Sequence, residues 1–280
     1  MKRKLPEYLS NPNSDTVIVF IHGLGGGYTT WKKFANILHE EWKENDAFSL
    51  KYDHYYNNTV EIPVYSFFTK SFFGDNIETL SRHLDSVIRS LCKYYENIIL
   101  ICHSMGGLIA RKYIIDLLNK ERDLGKIKAL ITYATPHLGS SLANVCKTIF
   151  WAPAYIFKFA SLRLISQIKD LSKNSKIITS INADWTKLGV NQKLDFIRIF
   201  GYADYVVGID SAKLQEEDED DDNVFGFANK DHFNIIKPTT NFQDSALYVT
   251  YNYLKEFNRK IESENEFEDE EYSEDSDMDY

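Results

Sequence analysis

The chain has 280 residues, of which 44% are hydrophobic and 26% are charged, with only 13 Gly and 6 Pro. This composition excludes a disordered, collagen-like or disulfide-stapled protein, and it supplies enough apolar side chains for one sizeable core. The formal net charge is −9, and no run of about 20 apolar residues occurs that could span a bilayer.

Short apolar runs alternate along the chain with longer segments whose apolar residues recur at helical spacing. We predict strands at 16–21, 97–102, 130–134, 196–200 and 224–227. Helices are predicted at 30–42, at 77–95, directly after the second strand, and at 241–258. Unbroken apolar strands between amphipathic helices are typical of a mostly parallel sheet with helices on both faces. The expected fold class is therefore α/β, in one domain covering residues 1–261.

The segment 98–107, IILICHSMGG, places Ser104 between a buried strand and a helix. A nucleophile elbow needs this context, because its sharp turn lifts a hydroxyl above the sheet. The turn also needs small residues two positions before and two after the nucleophile. Gly106 and Gly107 meet the second demand, whereas Cys102 meets the first only in part. The alternative is that Ser104 is an ordinary helix N-cap.

A second glycine-rich turn follows the first strand, in VIVFIHGLGGG at 17–27. Attack on an ester creates an oxyanion that needs two donors about 2.7–3.1 Å away, and backbone N–H groups commonly supply them. We predict that the N–H groups of Leu24 and Met105 form this oxyanion hole. A phosphate-binding loop is the alternative, but the glycines depart from the G-x-G-x-x-G spacing.

A hydroxyl nucleophile also needs a base and an acid that orients it, in the chain order Ser, acid, His. Asp204 follows the strand at 196–200, and His232 lies in a loop before the last helix. Asp210 is the competing acid. His137, in TPHLGS, is the alternative base, or it only shapes the loop near the site.

Together, HGLGG, HSMGG, TPHLGS, GYADYVV and the late His232 resemble the α/β-hydrolase superfamily. Within it they are most similar to lipase-like serine esterases related to GPI inositol-deacylases and predicted cytosolic lipases. The resemblance covers roughly residues 15–258. It implies Ser104 as nucleophile, Asp204 as acid and His232 as general base, with Leu24 and Met105 as oxyanion donors. It implies no metal and no organic cofactor.

An insertion at 142–189, too long for an ordinary connection, is expected to form a helical cap over the site. Its first half is dense in aromatic residues, and a second aromatic stretch lies at 59–73. Such walls favour lipid-like esters, since each buried CH₂ contributes about 0.8 kcal/mol. The alternative is that these aromatics only pack the cap against the body.

The expected function is hydrolysis of carboxylic esters, with a small-molecule or lipid ester as substrate and no nucleic-acid partner. Acyl transfer on the same fold is one alternative. A non-catalytic hydrolase-fold binding protein is the other. Peripheral membrane contact through the aromatic cap is a further hypothesis.

The net charge comes from two acidic blocks. Residues 216–222 are seven acids in a row, and residues 262–280 hold eleven acids with no Lys or Arg. Without those 18 charges the rest of the chain carries +9. We expect a solvated loop and a disordered tail, respectively. The chain has an odd number of cysteines, namely Cys92, Cys102 and Cys146, and no secretory signal. Both features favour a cytoplasmic location.

Overall fold

The computed structural model describes residues 16–23, 30–44, 52–56, 76–121, 123–141, 169–173, 175–214, 221–239 and 241–276. Its strands are β1 (Thr16–Ile21), β2 (Tyr52–Tyr56), β3 (Asn97–His103), β4 (Ile127–Tyr133), β5 (Asp195–Gly201) and β6 (Val224–Phe227). Its helices are α1 (Lys32–Glu44), α2 (Ile77–Leu91), α3 (Met105–Glu121), α4 (Lys176–Lys187), α5 (Ile209–Lys213) and α6 (Ala246–Ser276). Short 3₁₀ turns lie at Val190–Gln192 and Phe242–Asp244.

The strands form one six-stranded sheet in the order β2-β1-β3-β4-β5-β6, and every described pairing is parallel. Alternate residues of each strand point to opposite faces of the sheet. On one face, Val17, Val19 and Leu100 pack in a core shared with α2, α3 and α4. On the other face, Ile18 and Ile99 pack in a core shared with α1 and α6. Burial on both faces explains the unbroken apolar strands, and the predicted fold class is confirmed.

Because the strands are parallel, their carboxyl ends meet at one edge of the sheet, here called the carboxyl edge, and their amino ends meet at the amino edge. Ser104 follows β3, Asp204 lies in the loop after β5, and His232 lies in the loop after β6. All three loops open at the carboxyl edge. Active sites of open α/β sheets form at this edge, because the loops there can bring side chains together from several strands.

The structure contains elements that the sequence did not predict or placed elsewhere, among them the short helix α5. β2 was not predicted, and α4 lies inside the segment 142–189 that was assigned to the cap. Ile178, Ile181 and Trp185 of α4 are buried in the main core, so this part of the insertion belongs to the body. Residues 142–168 and 57–75, which include both predicted aromatic walls, lie outside the described residues.

The last helix, α6, is longer than predicted. Its backbone stays helical as far as Ser276, whereas we expected a disordered tail from residue 262. Glutamate has a good helix propensity, so an acidic run that follows a packed helix can continue it. Within the described residues, no helix is both long and apolar enough to cross a membrane.

Candidate active site

Ser104 alone makes the turn between β3 and α3. The strand ends at His103 and the helix begins at Met105. Ser104 has a φ of 54°, in the left-handed region that residues other than glycine seldom occupy. Its N–H donates to the Tyr133 carbonyl at 2.9 Å, and its carbonyl accepts from Thr135 Oγ1 at 3.0 Å. The turn therefore has the strained backbone of a nucleophile elbow, held by bonds to the neighbouring strand and loop.

Three glycines let the chain pack tightly around this turn. A Cβ on Gly106 would lie 2.5 Å from the Ile21 carbonyl oxygen, and a Cβ on Gly107 would run into the Thr135 side chain. A Cβ on Gly23 would lie 2.6 Å from the Ser104 Cβ. The backbone at Gly23 therefore passes directly beside Ser104. Cys102 is fully buried in β3, so the elbow accommodates it where the usual motif has glycine.

His232 lies between the Ser104 hydroxyl and the Asp204 carboxylate. Its Nε2 atom is 3.0 Å from Ser104 Oγ, and its Nδ1 atom is 2.9 Å from Asp204 Oδ2. The exposed fractions of the three residues are 8% for Ser104, 3% for His232 and 9% for Asp204. An ionised carboxylate only accepts hydrogen bonds, so Nδ1 carries the proton and Nε2 presents its lone pair to the hydroxyl. In this arrangement the imidazole can accept the hydroxyl proton.

Asp204 is held by backbone donors of its own loop. Its Oδ1 atom accepts the N–H groups of Val206 at 2.8 Å and Val207 at 2.9 Å. The other carboxylate oxygen is thereby left to face the Nδ1 atom of His232. The backbone fixes the direction of the carboxylate, and the carboxylate in turn fixes the tautomer of the ring.

Backbone hydrogen bonds connect the loop after β5, which carries Asp204, to the loop after β6, which carries His232. The N–H of Tyr202 donates to the Phe227 carbonyl, and the N–H of Ala203 donates to the Lys230 carbonyl, both at 3.0 Å. The Lys230 carbonyl crosses directly over Gly201, where any side chain would collide with it. Asp204 and His232 are therefore positioned together.

The turn that carries His232 is set by Asp231. Its Oδ1 atom accepts the N–H groups of Phe233 and Asn234, both at 2.8 Å. Lys230 is a buried residue, and its ammonium donates to the Lys237 carbonyl at 3.2 Å, which closes the far side of the turn. A side-chain turn of this type fixes the backbone without help from a helix or strand.

His103, the residue before the nucleophile, contacts His232 from a second direction. Its Nε2–H donates to the main-chain carbonyl of His232 at 2.7 Å, and the two ring centroids are 5.0 Å apart. Burial, and secondarily the nearby His232, lower the pKa of His103 to about 3. His103 is therefore a neutral donor near pH 7. The sequence alone predicts no role for His103, because only its place beside Ser104 marks it.

His137, predicted as the alternative base, does not lie at Ser104. It is fully buried, with Nδ1 3.3 Å from Arg111 Nη1 and Nε2 3.2 Å from Thr132 Oγ1. Arg111 donates, so His137 accepts at Nδ1 and donates at Nε2. Burial, and then the neighbouring arginines, hold the pKa of His137 well below its usual value. A neutral histidine in this position anchors the loop after β4, which is the structural role considered for it.

Arg111 itself is a buried residue that the sequence analysis did not single out. It is fully buried on α3, and its guanidinium lies 4.6 Å from the centre of the Trp185 ring on α4. Burial lowers its pKa to about 9. Asp210, the competing acid, lies in the first turn of α5, and both ring nitrogens of His232 are already engaged by Asp204 and Ser104.

The two predicted oxyanion donors fall on different parts of the chain. Met105 is the first residue of α3, where backbone N–H groups have no partner within the helix. Leu24 lies outside the described residues and directly follows Gly23, whose backbone passes beside Ser104. The Leu24 assignment therefore stays a prediction.

A parallel sheet covered on both faces, with Ser104, His232 and Asp204 in contact at its carboxyl edge, defines a lipase- or esterase-like α/β hydrolase. The PGAP1-like alpha/beta domain model matches residues 13–152, half of the chain. The chain belongs to this PGAP1-like family.

The chain is also similar to individual proteins. Protein SERAC1 of Homo sapiens is 24% identical over 280 residues, covering 90% of this chain and 40% of that protein. The GPI inositol-deacylase of Mus musculus is 27% identical over 134 residues, covering 45% of this chain and 13% of that protein. The chain thus spans less than half the length of either relative. An alpha/beta hydrolase enzyme from the metagenome of lagoon sediments at Mar Chica, Morocco, has the same fold, with a TM-score of 0.55 and 18% identity over 88% of this chain and 94% of that one.

Proposed function

We propose that this protein is a serine hydrolase that cleaves carboxylic esters through Ser104, His232 and Asp204. The observation that carries the proposal is the position of one buried imidazole 3.0 Å from Ser104 Oγ and 2.9 Å from Asp204 Oδ2. A binding module has no need of this alignment. A strained serine at the same turn adds support, because strain of this kind is usually retained only where function requires it.

The reaction would proceed in two halves. His232 Nε2 takes the proton of Ser104 Oγ as that oxygen attacks the ester carbonyl, and the carbonyl oxygen becomes an oxyanion facing the N–H groups at the start of α3. His232 then gives its proton to the leaving alcohol, and an acyl ester of Ser104 remains. Water repeats these steps, releasing the acid and restoring the hydroxyl. Asp204 stabilises the imidazolium that forms each time.

The proposed substrate is a lipid-like ester that carries an acyl chain. One matched relative is named a GPI inositol-deacylase, and a deacylase removes an acyl group. The aromatic segments at 59–73 and in the first half of the 142–189 insertion, predicted to line the acyl site, lie outside the described residues. The acyl pocket is therefore inferred from the sequence and the relative's name.

The test is ester hydrolysis by purified wild-type protein and two variants. Ser104→Ala should lower turnover by about 10⁴-fold or more, because it removes the nucleophile. Ser90→Ala is the matched control, since this hydroxyl is exposed on α2 and donates to the Ser86 carbonyl. It should keep wild-type turnover. Full activity in Ser104→Ala would refute the proposed mechanism.

A series of p-nitrophenyl esters tests the substrate class separately. We expect kcat/KM to rise as the acyl group lengthens from two carbons, since each CH₂ buried in an apolar pocket adds about 0.8 kcal/mol of binding. A steady fall of kcat/KM beyond two carbons would contradict the proposed lipid-like substrate, but it would not contradict the proposed serine hydrolase activity.

A further inference from the structure

Exposed aromatic side chains are concentrated beside the candidate active site. Of the described residues, the large hydrophobic side chains that are exposed are Tyr202 at 57%, Tyr205 at 85% and Phe233 at 46%. Tyr202 and Tyr205 flank Asp204, and Phe233 follows His232. Backbone bonds from Tyr202 and Ala203 join the two loops, so all three side chains project from one unit at the carboxyl edge. Exposed apolar groups clustered in this way mark an interaction surface.

Three lysines lie at the same edge. Lys169, Lys173 and Lys176 are exposed, and no ion pair joins them to another described residue. Their segment is fixed to the carboxyl edge because the Leu171 carbonyl accepts the N–H of Ser140, in the loop after β4. Asp170, in the same segment, is half-buried and accepts from the N–H of Ile77 at 3.4 Å. The three lysines are therefore available to pair with anionic groups of a binding partner.

Described acidic residues lie at the opposite edge. Asp221 pairs with Arg198, and Asp221 and Asp222 shortly precede Val224, the first residue of β6, so these two acids lie at the amino edge. Helix α6 runs from the carboxyl edge to the amino edge. Near its start, Ala246 and Thr250 bond the Tyr133 hydroxyl at the end of β4, and further along Tyr253 bonds Asp195 at the start of β5. The acids from residue 262 onwards follow beyond that point.

We propose that the carboxyl edge docks on the surface of an anionic lipid bilayer, with Tyr202, Tyr205 and Phe233 at headgroup depth. Aromatic side chains, tyrosine among them, favour the membrane interface because one end is apolar and the other is wet. Lysines close to an anionic leaflet are attracted to it, and acidic groups are repelled. Both effects turn the same edge toward the membrane. This docking surface includes three lysines of the 142–189 insertion but none of its aromatic first half, and it serves the proposed function by presenting the Ser104 site to lipid.

Vesicle binding of the full chain tests the proposal, with Ser104→Ala as the background so that no lipid is consumed. Vesicles of phosphatidylcholine with phosphatidylglycerol are compared with pure phosphatidylcholine. We expect binding to the anionic vesicles that weakens as salt is raised. K169E/K173E/K176E should weaken it at least about tenfold, given the attraction of each lysine to such a surface. Y202S/Y205S should also weaken it, and Tyr205→Trp should preserve it.

The matched control reverses three exposed lysines of the amino edge, in K128E/K187E/K193E. Lys128 lies near the start of β4, Lys187 ends α4, and Lys193 precedes β5. This control has the same net charge as the carboxyl-edge variant and should bind nearly as well as the background. Thermal unfolding of each variant shows whether it is folded.

Three outcomes would overturn the proposal. The first is no binding to anionic vesicles. The second is an equal loss in both lysine triples, which would indicate net charge rather than a docking face. The third is unchanged vesicle binding in Y202S/Y205S together with a changed oligomeric state, which would assign the aromatics to a second copy. Because the vesicle assay uses protein without the Ser104 hydroxyl, it does not depend on hydrolysis. A negative vesicle result would therefore not contradict the hydrolase proposal, and an inactive wild-type protein would not contradict membrane docking.

Discussion

His232 is the residue on which the site depends, and it is held at three points. Its two ring nitrogens face Ser104 and Asp204, and its main-chain carbonyl accepts from His103. The adjacent residues His103 and Ser104 therefore contact both the backbone and the ring of one histidine. These contacts hold the His232 ring relative to Ser104 more firmly than the loop alone would.

Asp204→Asn tests the orienting acid. The amide keeps the shape of the side chain but can donate toward Nδ1, so the ring would take the wrong tautomer. We expect kcat to fall by about 10⁴ with the fold intact. Asp210→Asn is the control and should keep kcat near the wild-type value. Steady-state ester hydrolysis measures both, and the opposite ranking would make Asp210 the acid.

Substitution of His103 tests the positioning contact. His103→Leu removes the donor to the His232 carbonyl, and we expect kcat to fall by about 10-fold to 100-fold while KM changes little. His103→Gln can place an amide N–H near the same carbonyl and should restore much of the loss. Equal defects in both variants, or a loss confined to KM, would argue against positioning through this hydrogen bond.

At the scale of elements, the elbow depends on close contact between the start of α3 and the end of β1. Gly106 sits where a Cβ would meet the backbone carbonyl of Ile21, and a backbone atom cannot move aside as a flexible side chain would. Strand β1 also places Gly23 next to Ser104. Packing of the fold and geometry of the site are therefore set by the same glycines.

Gly106→Ala should destabilise the protein by about 1–3 kcal/mol and lower activity, because the helix must shift away from β1. Gly208→Ala is the control, since no heavy atom lies within 4 Å of the position of its added Cβ. It should cost at most about 1 kcal/mol, as the residue caps only the short α5. Denaturant unfolding measures both free energies. Equal stability of the two variants would contradict the tight contact.

The elements that the sequence predicts best are those with the simplest environment. β1 and β3 lie between other strands and are buried on both faces, so their apolar runs are unbroken. β2 lies at the edge of the sheet with β1 as its described neighbour, and its sequence YDHYY lacks such a run. α4 was assigned to the cap because spacing in sequence does not tell where a helix packs. The contacts of His103 and Arg111 depend on tertiary structure and have no sequence pattern.

At the scale of the whole molecule, buried neutral histidines make the free energy of unfolding depend on pH. Burial lowers the pKa of His22, His103 and His137 below the ordinary value of 6.5, and that of His103 to about 3. As the pH falls below 6.5, the unfolded chain therefore binds protons at these residues more readily than the folded protein does. The unfolded state then gains stability as pH falls, so the free energy of unfolding decreases.

His103→Gln should reduce this dependence. Without this histidine, the difference in bound protons between the unfolded and the folded protein is smaller by up to one. The slope of the free energy of unfolding against pH should therefore flatten by up to about 1.4 kcal/mol per pH unit. The change in slope is expected between about pH 3 and pH 6.5, which are the pKa values of His103 in the folded and the unfolded protein. Urea unfolding at several pH values measures both slopes. Identical slopes would show that His103 is protonated in the folded protein.

The central claim is that Ser104 is an activated nucleophile, and covalent labelling of the folded protein by a fluorophosphonate, mapped by mass spectrometry, tests it most directly. We expect one adduct per chain, located on Ser104, and labelling slowed by orders of magnitude in a folded His232→Ala variant, because the base no longer takes the hydroxyl proton. Folded wild-type protein that takes up no label, or that is labelled on another residue, would contradict the account.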